Sequence, residues 1–102
     1  MENKEIAAML EEAADLMEVA GQDPFRVRSY RNAVRAIENL TERLEGILGD
    51  ANRKLTEIPS IGKAMASHIE EICRTGKLSV REELAAKYPA VTLDLLRIQG
   101  LG

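Results

Sequence analysis

Residues 55–69, LTEIPSIGKAMASHI, constrain this chain more than any other stretch. An apolar helical approach runs into Ile58-Pro59-Ser60-Ile61-Gly62, and a second helix with small residues on one side restarts at once. Pro59 has a fixed φ and drives Ile58 out of the helical region, so the first helix has to end there. Gly62 carries no Cβ, so its backbone can approach a surface that any other residue would hold off. A turn this tight leaves the first amides of the second helix without intrahelical partners. Unpaired N–H groups at the positive end of a helix dipole make an anion site, and phosphate is the expected anion. The plain alternative is a Pro/Gly turn between two packed helices.

The pattern occurs twice. Leu55-Thr56-Glu57-Ile58-Pro59-Ser60-Ile61-Gly62 aligns with Leu95-Leu96-Arg97-Ile98-Gln99-Gly100-Leu101-Gly102, repeating Leu, Ile, an aliphatic residue and the final Gly in register. This repeated segment resembles the helix-hairpin-helix motif, which grips a nucleic-acid backbone without reading bases. The second copy stops at its hairpin glycine, so the chain reads as a piece of a longer protein. The expected organisation is a helical unit over 1–88 with its hairpin at 55–69, followed at 89–102 by the start of a second, truncated helix-hairpin-helix.

Around the hairpin, every periodic segment is helical. Ile6, Leu10, Ala13, Met17 and Ala20 keep a three-to-four spacing, with Asn3 as the expected cap and Gly21 as the stop. Asp23-Pro24 opens a second helix with Tyr30, Ala33, Val34 and Ile37 as its apolar stripe. Thr41 is the expected cap of a short third helix ending at Gly49. Met65, Ala66, Ile69, Ile72 and Cys73 form the inner face of the helix after Gly62, which ends at Thr75-Gly76. Ser79 and Glu82 suggest a capping box for the next helix, stopped by Pro89. A last short helix is expected through Leu93, Leu95 and Leu96. No strand pattern competes, so the fold class is all-α: a compact bundle of short helices.

At 102 residues, 45% hydrophobic and 30% charged, the chain fits one globular domain. No apolar run reaches the length that crosses a bilayer, and the N-terminus looks like neither a signal nor a transit peptide. Cys73 is the one cysteine, which excludes an internal disulfide and fits a reducing cytoplasm, close to the nucleoid if DNA is the partner. It reads as a buried structural thiol.

The net charge of −3 looks wrong for a nucleic-acid binder until it is divided along the chain. Residues 1–23 carry −6, whereas residues 24–36 carry +4 from Arg26, Arg28, Arg31 and Arg35 with no acid between them. Local field rather than total charge decides the partner. The arginines, with Tyr30 among them, suit a forked site for a terminal phosphate. The competing reading is a solvated face paired with the acidic first helix. Backbone at Ser60, Ile61 and Gly62, backed by Lys63, suits a sequence-independent phosphate contact. Carbonyls of the same turn suit Na⁺ or K⁺. His68 is the lone histidine, and no nucleophile–base arrangement or divalent-metal cluster accompanies it, so no catalytic residue and no other cofactor is assigned.

Four segments in order are similar to the N-terminal region of family X DNA polymerases. They are Pro24 to Ala33, Leu55 to Gly62, Thr75-Gly76-Lys77-Leu78, and Leu96 to Gly102. The bacterial form, which commonly carries a C-terminal PHP phosphoesterase domain, looks closest. That resemblance implies a lyase-type helical domain binding the 5′-phosphate side of gapped DNA in base excision repair, with nucleotidyltransferase chemistry and its divalent metals in other domains. By position it implies a 5′-phosphate contact at Arg26, a pocket tyrosine at Tyr30, phosphate neighbours at Lys63 and Lys77, and cation ligands at the carbonyls of Thr56, Ile58 and Ile61. The sequence departs from the lyase pattern where it matters most. His68 stands where lyase-active members have the imine-forming lysine, and imidazole is not a primary amine. Phe25 and Ala64 also replace a polar and a basic pocket residue. The phosphate-binding role survives that loss. Lyase activity would need Lys63 or Lys77, and a protein-interaction module on the same fold is the remaining alternative.

Overall fold

Seventeen residues, Asn3–Val19, form the first helix (α1), and its three-to-four spacing of Ile6, Leu10, Ala13 and Met17 puts all four in the core. The computed structural model describes residues 1–87. The remaining helices are α2 (Pro24–Glu38), α3 (Leu44–Leu48), α4 (Lys63–Thr75) and α5 (Ser79–Lys87), with a single 3₁₀ turn at Leu55–Glu57. No strand occurs among the described residues, and the all-α expectation holds. The second hairpin, the helix expected before it and the stop at Pro89 lie outside the described residues.

α1 is the organising element. It packs along α2 and also meets α4 and α5. Gly21, at φ +73°, ends it: the Gly21 N–H donates to the Glu18 carbonyl at 3.1 Å and the Gln22 N–H to the Met17 carbonyl at 2.9 Å. This paired closure needs a left-handed residue, which glycine adopts without a Cβ penalty. The chain can then reverse into α2, where Asp23 accepts from the Phe25 N–H at 3.0 Å and Pro24 takes the first helical position, as the sequence predicts. Val27, Tyr30, Ala33, Val34 and Ile37 are buried on the inner face of α2, and Met65, Ile69 and Ile72 on that of α4. Burial of each such aliphatic side chain contributes about 1.5–3 kcal/mol of transfer free energy.

Three caps differ from expectation. Asn3 is the first residue of α1, not its cap. Its side chain instead crosses to the loop before α3, donating to the Glu42 carbonyl at 2.8 Å and accepting the Leu44 N–H at 2.9 Å. That bond does the work expected of Thr41, which lies two residues before the Arg43 cap position of α3. Ser79 makes no capping box with Glu82. Its amide and hydroxyl both donate to the Glu71 carboxylate of α4, and the Glu82 N–H bonds the Leu78 carbonyl at 3.1 Å. A full negative charge outcompetes a local reciprocal bond for the same donors. Cys73 is half-buried, and burial pushes its thiol pKa up, as an inert structural thiol requires.

Candidate nucleic-acid interface

The hairpin turn owes its shape to Ile58–Ile61. Ile58 sits at φ −78°, ψ 126°, the extended state that a following proline imposes. Ser60 takes φ +73° and the Ile61 N–H donates to the Ile58 carbonyl at 3.1 Å. Pro at the second position and positive φ at the third are the marks of a type II turn. A serine in this conformation stores about 1–2 kcal/mol that glycine would not. The left-handed residue is thus Ser60, and Gly62 has an ordinary φ of −86°. Gly62 matters through space: a Cβ built on it meets no atom within 4 Å.

The Ile61 amide is therefore consumed inside the turn and offers nothing to a ligand, which corrects that part of the expectation. The next four amides are different. The first intrahelical bond of α4 runs from the Ala66 N–H to the Gly62 carbonyl at 2.8 Å. Among the described residues, no acceptor meets the N–H groups of Gly62, Lys63, Ala64 or Met65, and no side chain caps the helix. These four residues form one wall of a cleft of about 460 Å³. Arg26, Ser29 and Tyr30 of α2 form the opposite wall, with Ser60 at one end and His68 at the other. No carboxylate lines it.

Tyr30 and His68 close the floor. The Tyr30 hydroxyl and His68 Nε2 are 2.9 Å apart, linking α2 to α4 across 38 residues of sequence. Burial raises the Tyr30 pKa above its ordinary value, with Arg26 opposing. Burial also holds the His68 imidazole below its ordinary range, with Glu71 opposing and Arg26 reinforcing. His68 is accordingly neutral at pH 7, and the cleft's fixed positive charges are Arg26 and Lys63. Neither forms an ion pair among the described residues.

The structure brings together Arg26, Tyr30, Ser60, Gly62 and Lys63, but not the remaining predicted phosphate ligands. Arg31 points to α1, where its guanidinium contacts Glu11 at 2.8 Å, Asp15 at 3.0 Å and Glu18 at 3.1 Å. Of the two readings weighed for the arginines, pairing with the acidic helix describes Arg31. Arg28 lies against the exposed Phe25 ring, 5.7 Å from its centroid, and faces a different cleft. Lys77 follows the last turn of α4, some twelve helical residues or about 18 Å along the axis from Lys63. Ser29 and Met65 line the cleft without having been predicted. Both lie inside segments the sequence singles out, but their place in the cleft follows from how the two helices pack.

Behind the turn, Arg53 bridges Glu42 at 2.8 Å and Glu57 at 2.8 Å, and Glu57 also accepts the Lys54 N–H at 3.0 Å. This brace fixes the 3₁₀ turn that carries Thr56. Among the described residues the carbonyls of Thr56 and Ile61 accept no hydrogen bond, while that of Ile58 accepts one from Ile61. Neutral carbonyl oxygens at a bend form a donor set suited to a hard monovalent cation.

The apolar helix expected before Pro59 is a single 3₁₀ turn, Leu55–Glu57, and with the proline turn and the free amides that open α4 it makes a short form of the helix-hairpin-helix arrangement. The chain belongs to the helix-hairpin-helix domain family, which matches residues 1–78. It is similar to DNA polymerase/3'-5' exonuclease PolX of Bacillus subtilis (strain 168), at 34% identity over 102 residues covering 100% of this chain. It is also similar to DNA polymerase lambda of Arabidopsis thaliana, at 33% identity over 101 residues covering 98% of the chain. Both relatives are family X polymerases. The chain spans 17% and 18% of their lengths. Among the described residues no helix is long and apolar enough to cross a membrane.

Proposed function

We propose that this domain binds gapped DNA without sequence preference, as part of a family X polymerase acting in base excision repair, and holds the 5′-phosphate at the gap edge. One observation carries the reading: Arg26 and four residues whose amides are unbonded line one carboxylate-free cleft beside the hairpin. Backbone N–H groups and a helix dipole favour a phosphate wherever the bases happen to be. Arg26 adds a forked, permanently charged donor suited to the extra negative charge of a terminal phosphate. A Na⁺ or K⁺ ion on the carbonyls of Thr56, Ile58 and Ile61 would supply a bridging charge to the next phosphate along the strand. Polymerase chemistry, a PHP domain and their divalent metals are assigned to other parts of the parent protein, which locates it with the nucleoid in the cytoplasm.

The test is a binding titration on gapped duplexes that bear or lack the 5′-phosphate, repeated across salt concentrations. The reading predicts tighter binding with the phosphate and a steep loss of affinity with salt. Undetectable or salt-insensitive binding would contradict it and favour the protein-interaction module. A second reading, 5′-deoxyribose-phosphate lyase activity, has Lys63 in its favour: it is the primary amine that lines the cleft, whereas Lys77 is remote. Borohydride trapping decides it. A crosslink lost in Lys63→Ala supports the lyase, and the absence of any crosslink removes it.

A further inference from the structure

Ser60 is shared by two clefts. One is the Arg26 cleft; the other is a groove of about 440 Å³ on the far side of the turn, between the hairpin and the last two turns of α2. Its floor is apolar, from Ala36, Leu40, Ile58 and Pro59, and its polar rim is Arg35 and Asn39. Arg35 is exposed and forms no ion pair among the described residues, even with Glu38 one turn along the same helix. That contrasts with Arg31, one turn earlier, which three carboxylates hold. No carboxylate lines this groove, although Arg35 also borders two clefts beside Arg31, one with Glu18 and the other with Glu11 and Glu38.

We propose that this groove seats a second backbone phosphate of the same DNA strand whose 5′ end enters the Arg26 cleft, so that the strand passes over the Ser60 turn and Arg35 takes its phosphate. The inference rests on the DNA-binding reading above and extends it. Charge complementarity selects the occupant: an arginine with no ion pair among the described residues and an amide side chain border apolar residues, matching a phosphate joined to deoxyribose. Continuity selects the path, because the turn that closes one cleft opens the other. Arg26 and Arg35 are nine residues apart on one helix, about 14 Å along its axis. Nine residues also carry a side chain about half way round the helix, so the Arg35 phosphate lies a few nucleotides in from the 5′ end.

Methylphosphonate scanning tests the register. Gapped duplexes carry one neutral methylphosphonate at each of the first eight positions of the 5′-phosphorylated strand, and bind either wild type or Arg35→Ala. Arg35→Ala is expected to weaken wild-type binding about fivefold and to lower the salt slope by about one. Neutralising one internal phosphate among these positions should cost wild type a similar factor and cost Arg35→Ala nothing further. Arg35→Lys should restore the slope. Unchanged affinity in Arg35→Ala, or losses that add at every position, would overturn the proposal. The Arg26 reading fails separately, by showing no preference for the 5′-phosphate, and the Arg35 comparison stays readable on the same duplexes.

Discussion

The two faces of this small bundle handle their cations in opposite ways. On the α1 side, Arg31 bridges Glu11, Asp15 and Glu18, and Arg81 reaches from α5 to Glu12. Both of these arginines are answered within the molecule. On the hairpin side, Arg26, Arg35 and Lys63 have no acidic partner among the described residues, and four helix amides beside them are equally unanswered. Folding gains little from exposed cations left alone. Their placement makes sense as capacity reserved for an external anion. A net charge of −3 is therefore compatible with the phosphate-binding surface we propose, because the acids of α1 pair with cations on the opposite face from the hairpin.

Predictions follow from that contrast, beginning with the largest. Gly62→Val should reduce affinity for gapped duplex at least about thirtyfold, near 2 kcal/mol, by holding the phosphate off the amides. Circular dichroism should show an unchanged helical domain, since the added Cβ meets no atom of the chain within 4 Å. Arg26→Ala should cost about tenfold on 5′-phosphorylated gaps and almost nothing without the phosphate. Equal losses on both substrates would break the assignment. Arg31→Ala is the matched control from the compensated face. It should lower stability by up to about 1 kcal/mol in urea titrations while leaving the preference for the 5′-phosphate intact.

The smallest effect is one of pH. Burial depresses the His68 pKa below its ordinary 6.5, so the unfolded chain takes up the proton first. Stability should be complete above pH 6.5 and fall as pH drops through the folded-state value. The urea midpoint should be lower at pH 5.5 than at pH 7.5, with the difference reduced in His68→Gln. The carboxylates with lowered pKa values, Glu42, Glu45, Glu57 and Glu71, start from 4.5 and act below this window.

The helices were legible in the sequence because their signals are local. Ile6 to Met17 and Tyr30 to Ile37 announce buried stripes by spacing, and Asp23-Pro24 announces a helix start. The caps at Asn3 and Ser79 were not legible, since their partners lie about forty residues away at Leu44 and one helix back at Glu71. Ser60 was hidden for a different reason: nothing about serine advertises positive φ, whereas the glycine two residues later draws the eye and needs none. The hairpin half of the site was readable from Pro59 and Gly62. Its α2 half required knowing which arginine faces which helix. Charge counting treated Arg26 and Arg31 alike, yet five residues on a helix turn a side chain through about 140°. That rotation carries one to the cleft and the other to the acids of α1.

Amide NMR on the ¹⁵N-labelled chain, titrated with 5′-phosphorylated gapped DNA, addresses the phosphate grip most directly. The largest shifts should fall on Gly62, Lys63, Ala64 and Met65, with Ile61, whose N–H is already bonded to Ile58, moving less than its neighbours. Shifts concentrated on the acidic face of α1, with residues 62–65 unmoved, would contradict the account.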